Sequence, residues 1–181
     1  MLFRSGFGAG AFFLGYSVFQ IPANIVLEKL GARRWIFCIL AVWGAISAAN
    51  ALTQGPASFY ALRILLGVAE AGFFPGMILY LGYWFPREYR ARLVGIFMAA
   101  IPFASTVGGP LSSLILQMDG TYGLRGWQWL FLLEGTPATV LAFAVLAFLP
   151  SSPNDAPWLN AEEKRIVAAR LAAEKIGRAH V

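Results

Sequence analysis

Residues 58–92 read SFYALRILLGVAEAGFFPGMILYLGYWFPREYRAR, and the fold is decided in this stretch. It is apolar from Phe59 to Phe85 and closes on Arg87, Arg90 and Arg92. A bilayer-spanning helix needs about 20 predominantly apolar residues, so the run is long enough to cross and to tilt or bend. Two charges, Arg63 and Glu70, lie inside it. A charge within a span costs roughly 3 kcal/mol on insertion scales and marks function by default. At their spacing the two share a helical face and stand ~10.5 Å apart along the axis. Gly67 lies between them and Phe74 one turn beyond. The two charges can form a static pair that glues helices, or line a polar lane that rearranges. Their separation favours the lane, because each must bend toward the other or find another partner.

Outward from that stretch, the chain is built for a membrane. Of its 181 residues 59% are apolar and only 13% charged, about half the share in soluble domains. Five apolar runs can span: residues 6–27, 35–53, 59–85, 93–118 and 127–149. None alternates with period two, so a β-barrel is not expected. The expected fold is all-α integral membrane, with five transmembrane helices. The net charge of +5 does not point to nucleic acid. Its basic residues gather in alternate connections: Lys29, Arg33 and Arg34; then Arg87, Arg90 and Arg92; then Lys164, Arg165, Arg170 and Lys175. By the positive-inside rule these face the cytoplasm, and the first run starts outside. Cys38 is the single cysteine and His180 the single histidine, so no metal site or cofactor is expected.

Small residues and prolines shape the runs. Gly6, Gly10 and Ala11 are expected to allow close helix contact, as is the Gly72–Gly76 step. Pro75–Gly76 offers the break in the long third run, and Pro22 a bend in the first. In the fourth run Pro102, Ser105, Thr106, Gly108, Gly109 and Pro110 argue against a plain helix. Tyr16 and Gln20 are a polar i, i+4 pair; cavity lining suits Tyr16, and an interhelical hydrogen bond suits Gln20. Glu28, Lys29, Gly31, Arg33 and Arg34 read as a tight turn with a salt-bridge latch. Glu134 is a third ionisable group in a span; it can bond neighbouring helix ends or titrate, and the structural role is favoured. Trp127 and Trp129 suit an interfacial belt. Beyond Pro150 a proline-bearing linker leads to an amphipathic helix capped by Asn160 and Glu163.

Both ends read as foreign. A common sequencing-adapter DNA, AGATCGGAAGAGCACACGTC, translates from its third base to Ile-Gly-Arg-Ala-His-Val, the sequence of residues 176–181. Its reverse complement, read from GTG, translates to Met-Leu-Phe-Arg-Ser, the sequence of residues 1–5. The expected division is therefore adapter at 1–5, transmembrane region at 6–150, start of a cytoplasmic loop at 151–175 and adapter at 176–181. On that reading Arg4, Arg178 and His180 carry no function.

NIVLEKLGARR, residues 24–34, resembles the signature between helices two and three of the major facilitator superfamily. Glu28 stands where the usual form has Asp, and Asn24 where it has Gly. Within that superfamily, residues 15–35, 62–92 and 126–135 resemble the anion:cation symporter family, which includes permeases for tartrate, phthalate, hydroxyphenylacetate and sugar acids. The resemblance implies helices 2–6 of a twelve-helix transporter, with helix one and the C-terminal half that activity requires both missing. It implies a multi-pass protein of the bacterial inner membrane, not an enzyme. The implied function is uptake of a small organic anion with a proton by alternating access. Glu70 matches the proton-carrying acid and Arg63 its partner. Tyr16 matches an anion-site tyrosine, with Arg63 and Gln20 as further substrate contacts. Glu28, Lys29, Gly31, Arg33 and Arg34 match the gating loop. Ile101 stands where sugar-acid members carry Gln, which implies a less hydroxylated anion. A carboxylate in an apolar lane can take up and release a proton, and protonating Glu70 would free Arg63 for a substrate carboxylate. The competing readings are a five-helix membrane scaffold and a carrier for a vitamin or amide-like solute. An intramembrane enzyme lacks any visible nucleophile–base pair.

Overall fold

A computed structural model describes residues 2–179, with side chains for residues 6–173. The side chains of the end segments read as adapter, residues 1–5 and 176–181, lie outside this description. The described residues form seven α-helices: α1 Leu2–Leu30, α2 Ala32–Ala49, α3 Pro56–Glu70, α4 Phe73–Trp84, α5 Arg87–Leu116, α6 Gly126–Phe148 and α7 Ala161–Ala179. No strand occurs among them. Five segments are long and apolar enough to cross a membrane: Gly6–Leu30, Ala32–Leu52, Pro56–Trp84, Arg87–Leu116 and Gly126–Phe148. They match the five apolar runs, because without water every backbone N–H and C=O must be paired within the segment.

The helix ends follow local chemistry. Gly31 separates α1 from α2 by itself, at φ 77°, a left-handed conformation that glycine adopts without strain. Pro56 opens α3, where its missing N–H is not needed, and the Ser58 hydroxyl accepts from the Gln54 and Gly55 amides at 3.3 and 3.2 Å. At the start of α6 the Gln128 side chain accepts from the Arg125 amide at 2.9 Å and donates to the Ala51 carbonyl at 2.8 Å. This joins α6 to the end of α2. Asn160 and Glu163 form the expected reciprocal cap of α7, at 2.8 and 2.9 Å.

Several expectations are corrected. The third span breaks at Ala71–Gly72, not at Pro75–Gly76. A proline ring clashes with the carbonyl four residues earlier, so Pro75 disturbs the backbone at Ala71, and the interruption lies one turn upstream. The fourth span is one continuous helix through Pro102 and Pro110. There the hydroxyls of Ser105, Thr106 and Ser113 donate back to the carbonyls of Ile101, Pro102 and Gly109, at 3.1, 2.8 and 3.1 Å. Likewise α1 runs on through Pro22. The basic clusters are helix ends rather than loops: Lys29 ends α1, Arg33 and Arg34 begin α2, and Arg87, Arg90 and Arg92 lie in the first turns of α5.

Glycines set the packing, though not all of those expected. Gly6 and Gly10 meet no neighbour. Gly8 and Gly15, on another face of α1, take the Phe59 ring and the Ile64 carbonyl of α3. Gly67 of α3 in turn lies against the Phe12 carbonyl. The second close pair joins α2 and α6: a β-carbon at Gly44 would stand 2.8 Å from the Gly135 carbonyl oxygen, and one at Gly135 equally near that of Gly44. The Gly72–Gly76 step receives the Trp35 ring, whose indole N–H donates to the Gly72 carbonyl at 3.0 Å. Around it, Ile36, Leu40 and Ala142 form a small core with Phe73, Met77 and Tyr80. Much of the remaining apolar surface, including Phe13, Ile21, Phe103 and Phe143, is exposed.

Two outcomes follow from this packing. Gly67→Val in this chain forces its side chain onto the Phe12 backbone and should lower stability by about 2 kcal/mol. Thermal melting in detergent should show that loss, whereas Gly10→Val, which meets open space, should leave the melting point unchanged. Asn160→Ala removes the α7 cap and should cost about 1 kcal/mol locally. Faster amide exchange confined to residues 161–165 is the expected readout.

Candidate functional site

Arg63 lies two turns into α3 and is half-buried. Its guanidinium carbon stands over the Phe59 ring, 5.1 Å from the centroid, and 6.0 Å from that of Phe131 on α6. Among the described residues no carboxylate pairs with it. Glu70 is the last residue of α3 and is also half-buried, at the junction where Ala71 is wholly inaccessible. The two charges of the central span are therefore held apart and are not paired with one another. Between them Gly67 meets α1 at Phe12 and Tyr16.

That contact brings Tyr16 to the level of the gap between the charges. Tyr16 is half-buried, its ring stacked on Phe12 with centroids 6.1 Å apart. Gln20, one turn on, is exposed, and among the described residues it makes no interhelical hydrogen bond. An exposed amide on α1 has no neighbouring helix to bond. Arg63, Glu70 and Tyr16 are thus brought to one helix pair, with Gln20 to the side.

At the turn between α1 and α2 the expected latch takes another form. Glu28 and Lys29 are exposed at the end of α1, and Glu28 has no ion pair among the described residues. Arg34 is exposed on α2. Arg33 instead donates to the Leu146 carbonyl near the end of α6, where a cation meets the negative end of a helix. Its Nε is buried without a hydrogen-bond partner. Nearby, the Tyr80 hydroxyl donates to the Pro150 carbonyl at 3.1 Å, and Trp84 stacks on Trp158 at 6.0 Å. Arg33 thus ties the end of α6 to α2, and the aromatic contacts tie the chain beyond α6 to α4.

Glu134 accepts a hydrogen bond from the Ser112 hydroxyl at 2.9 Å, joining α5 to α6 in the structural role expected of it. Sequence reasoning missed four residues. Phe59 and Phe131 have no periodic signal that sets them apart from lipid-facing aromatics. Trp35 had one: a small-residue step needs a bulky partner, although the step alone does not say which. Asn50, only 1% exposed, was also missed; its amide donates to the Ile46 carbonyl at 2.8 Å. Among the described residues no group of three His, Cys, Asp or Glu side chains could hold a metal ion. In chemical terms, the arrangement offers a guanidinium edge for an anion and a separate carboxylate that can hold a proton.

Comparison with known proteins agrees with this architecture. The chain is 50% identical over 173 residues to a protein of Agrobacterium vitis named as a tartrate transporter, covering 96% of this chain and 38% of that protein. It is 46% identical to the quinolone resistance transporter of Acinetobacter baumannii, covering 94% of this chain and 39% of the relative. It is 42% identical to the inner membrane transport protein RhmT of Escherichia coli K12, covering 93% and 39%. The chain thus spans about two fifths of the length of the curated relatives it matches. The model of the Major Facilitator Superfamily matches residues 3–179, and with five spans in an all-helical membrane protein the chain belongs to that superfamily.

Proposed function

We propose that this chain is part of a secondary transporter of the anion:cation symporter type, which takes up a small organic carboxylate with a proton by alternating access. The observation that carries the proposal is the pair of half-buried charges of α3, held apart around the Tyr16–Gly67 contact. A guanidinium not neutralised by its nearest carboxylate is suited to an anionic substrate. Glu70 carries the proton, Arg63 takes the carboxylate, and Tyr16 and Gln20 border the substrate. Glu28, Lys29, Gly31, Arg33 and Arg34 form the cytoplasmic gate, in which Arg33 on the end of α6 is the closing contact in this conformation. A relative named for tartrate transport supports a carboxylate as the substrate class.

In the same reading the five spans are helices 2–6 of twelve. Residues 6–150 belong to the N-terminal half and residues 151–175 begin the central cytoplasmic loop, while residues 1–5 and 176–181 derive from the adapter. The protein resides in a bacterial inner membrane, and activity needs the C-terminal half. Sequencing the genomic DNA on either side tests this division. A further upstream helix and six downstream spans are expected; native stop and start codons at these ends would overturn it and favour a small membrane scaffold.

The mechanism is tested on the full-length product of that gene in proteoliposomes, with labelled tartrate as the probe. Glu70→Gln should reduce uptake driven by a proton gradient by roughly tenfold or more while retaining exchange of internal for external anion. Active uptake at the wild-type rate in that variant would remove Glu70 from proton coupling.

A further inference from the structure

We infer that Phe59 and Phe131 are positioning residues for Arg63: two rings from different helices hold its guanidinium through their π faces and leave its N–H edge open for a substrate carboxylate. The inference rests on the reading of Arg63 as an anion site and adds how that cation is kept available. An arginine within a span must be stabilised by something. A carboxylate would neutralise it and occupy the donors that an anion needs. Aromatic rings attract the cation through their quadrupole and use none of its five N–H donors. The in-plane fork then remains free for a bidentate carboxylate.

Each ring is itself fixed by a further contact. The Phe59 ring rests in the notch at Gly8 of α1, where an added β-carbon would stand 2.7 Å from it. Phe131 meets the ring of Trp127 edge-on, with centroids 6.3 Å apart and planes at 79°. The slot therefore draws on three helices: α1 supplies the notch, α3 the cation and one ring, α6 the second ring. The three positions lie at one level because α1, α3 and α6 all run in the same direction from the outer side, and Gly8, Phe59–Arg63 and Phe131 fall within their first turns. Without the rings, the guanidinium can swing along α3 toward Glu70, seven residues away. It would then close the charge pair that the observed geometry keeps open, so loss of the rings weakens anion binding more than it slows turnover.

The test uses the full-length transporter in proteoliposomes, with tartrate exchange as the kinetic probe. Phe59→Leu and Phe131→Leu should raise KM by about fivefold each and leave kcat within about twofold, while Phe131→Tyr, which keeps the ring, should retain the wild-type KM. Leu variants with wild-type KM, alongside an Arg63→Ala variant that no longer exchanges, would overturn the aromatic slot and leave the anion site standing. Wild-type exchange in Arg63→Ala would overturn both. A second measurement needs no substrate: phenylglyoxal labelling of the detergent-solubilised protein, followed at Arg63 by mass spectrometry. The Leu variants, in which Arg63 closes on Glu70, should label about fivefold more slowly than wild type, with Phe131→Tyr unchanged; equal rates in all four proteins, or faster labelling of the Leu variants, would refute the slot.

Discussion

Close backbone contact at glycine is the constraint on which the rest of this structure depends. Helices in lipid gain little from the hydrophobic effect against one another, so they associate where small residues let their backbones approach. Gly15 and Gly67 do this for α1 and α3, and Gly44 and Gly135 for α2 and α6. The first contact also sets the site. Gly67 stands between Arg63 and Glu70, so docking it on Phe12 and Tyr16 leaves one charge about a turn before the close contact and the other about a turn after it. A larger residue at Gly67 would separate the helices and remove Tyr16 from the gap. The element that stabilises the pair is therefore the one that arranges the charges.

The second pair gives this arrangement a frame. From α2, Trp35 reaches the Gly72 carbonyl, Gly44 meets α6, and Arg33 caps the end of α6. Gln128 returns from α6 to Ala51, just beyond the far end of α2. So α2 and α6 are joined at the middle and near both ends, and the break in the third span is held against α2 through Trp35. That bond matters because the break leaves the backbone irregular in a place without water. The Gly72 carbonyl accepts both the Trp35 indole and the Gly76 amide, at 3.0 Å each, so a polar group at the interruption is doubly satisfied.

How much of this was legible in the sequence depends on the range of the interaction. The five spans, the turn at Gly31 and the Asn160–Glu163 cap are local, set by hydropathy over about 20 residues or by hydrogen bonds three residues apart, and they could be read directly. The course of the prolines was less legible. Pro75 and Pro102 are alike as residues, yet the span breaks one turn before the first and continues through the second. At the first, Gly72 tolerates the changed backbone and Trp35 bonds its carbonyl; at the second, the Ser105 and Thr106 hydroxyls bond the carbonyls of Ile101 and Pro102 within an unbroken helix, and these bonds do not replace the N–H that Pro102 removes. Which glycines pack was illegible for a related reason. Gly6, Gly8, Gly10 and Gly15 all lie on α1, and only the position of α3 decides that Gly8 and Gly15 are used.

The candidate site divides along the same line. Arg63 and Glu70 stood out because charge is rare in an apolar run, and their spacing foretold that they would not pair simply. Their partners did not stand out, because phenylalanine is ordinary in a membrane helix and Phe131 is distant in sequence from Arg63. The latch shows the reverse error. Glu28 and the arginines are near in sequence, which favoured pairing among themselves. Yet a rigid turn at Gly31 directs α1 and α2 so that Arg33 meets the Leu146 carbonyl instead. An exposed Glu28 gains little from a nearby cation, since water already solvates both, whereas the carbonyls of a helix end lack intrahelical partners. Proximity in sequence thus misled where solvent competes, whereas within an apolar span the rarity of charge singled out Arg63 and Glu70, two half-buried groups that do not pair with one another.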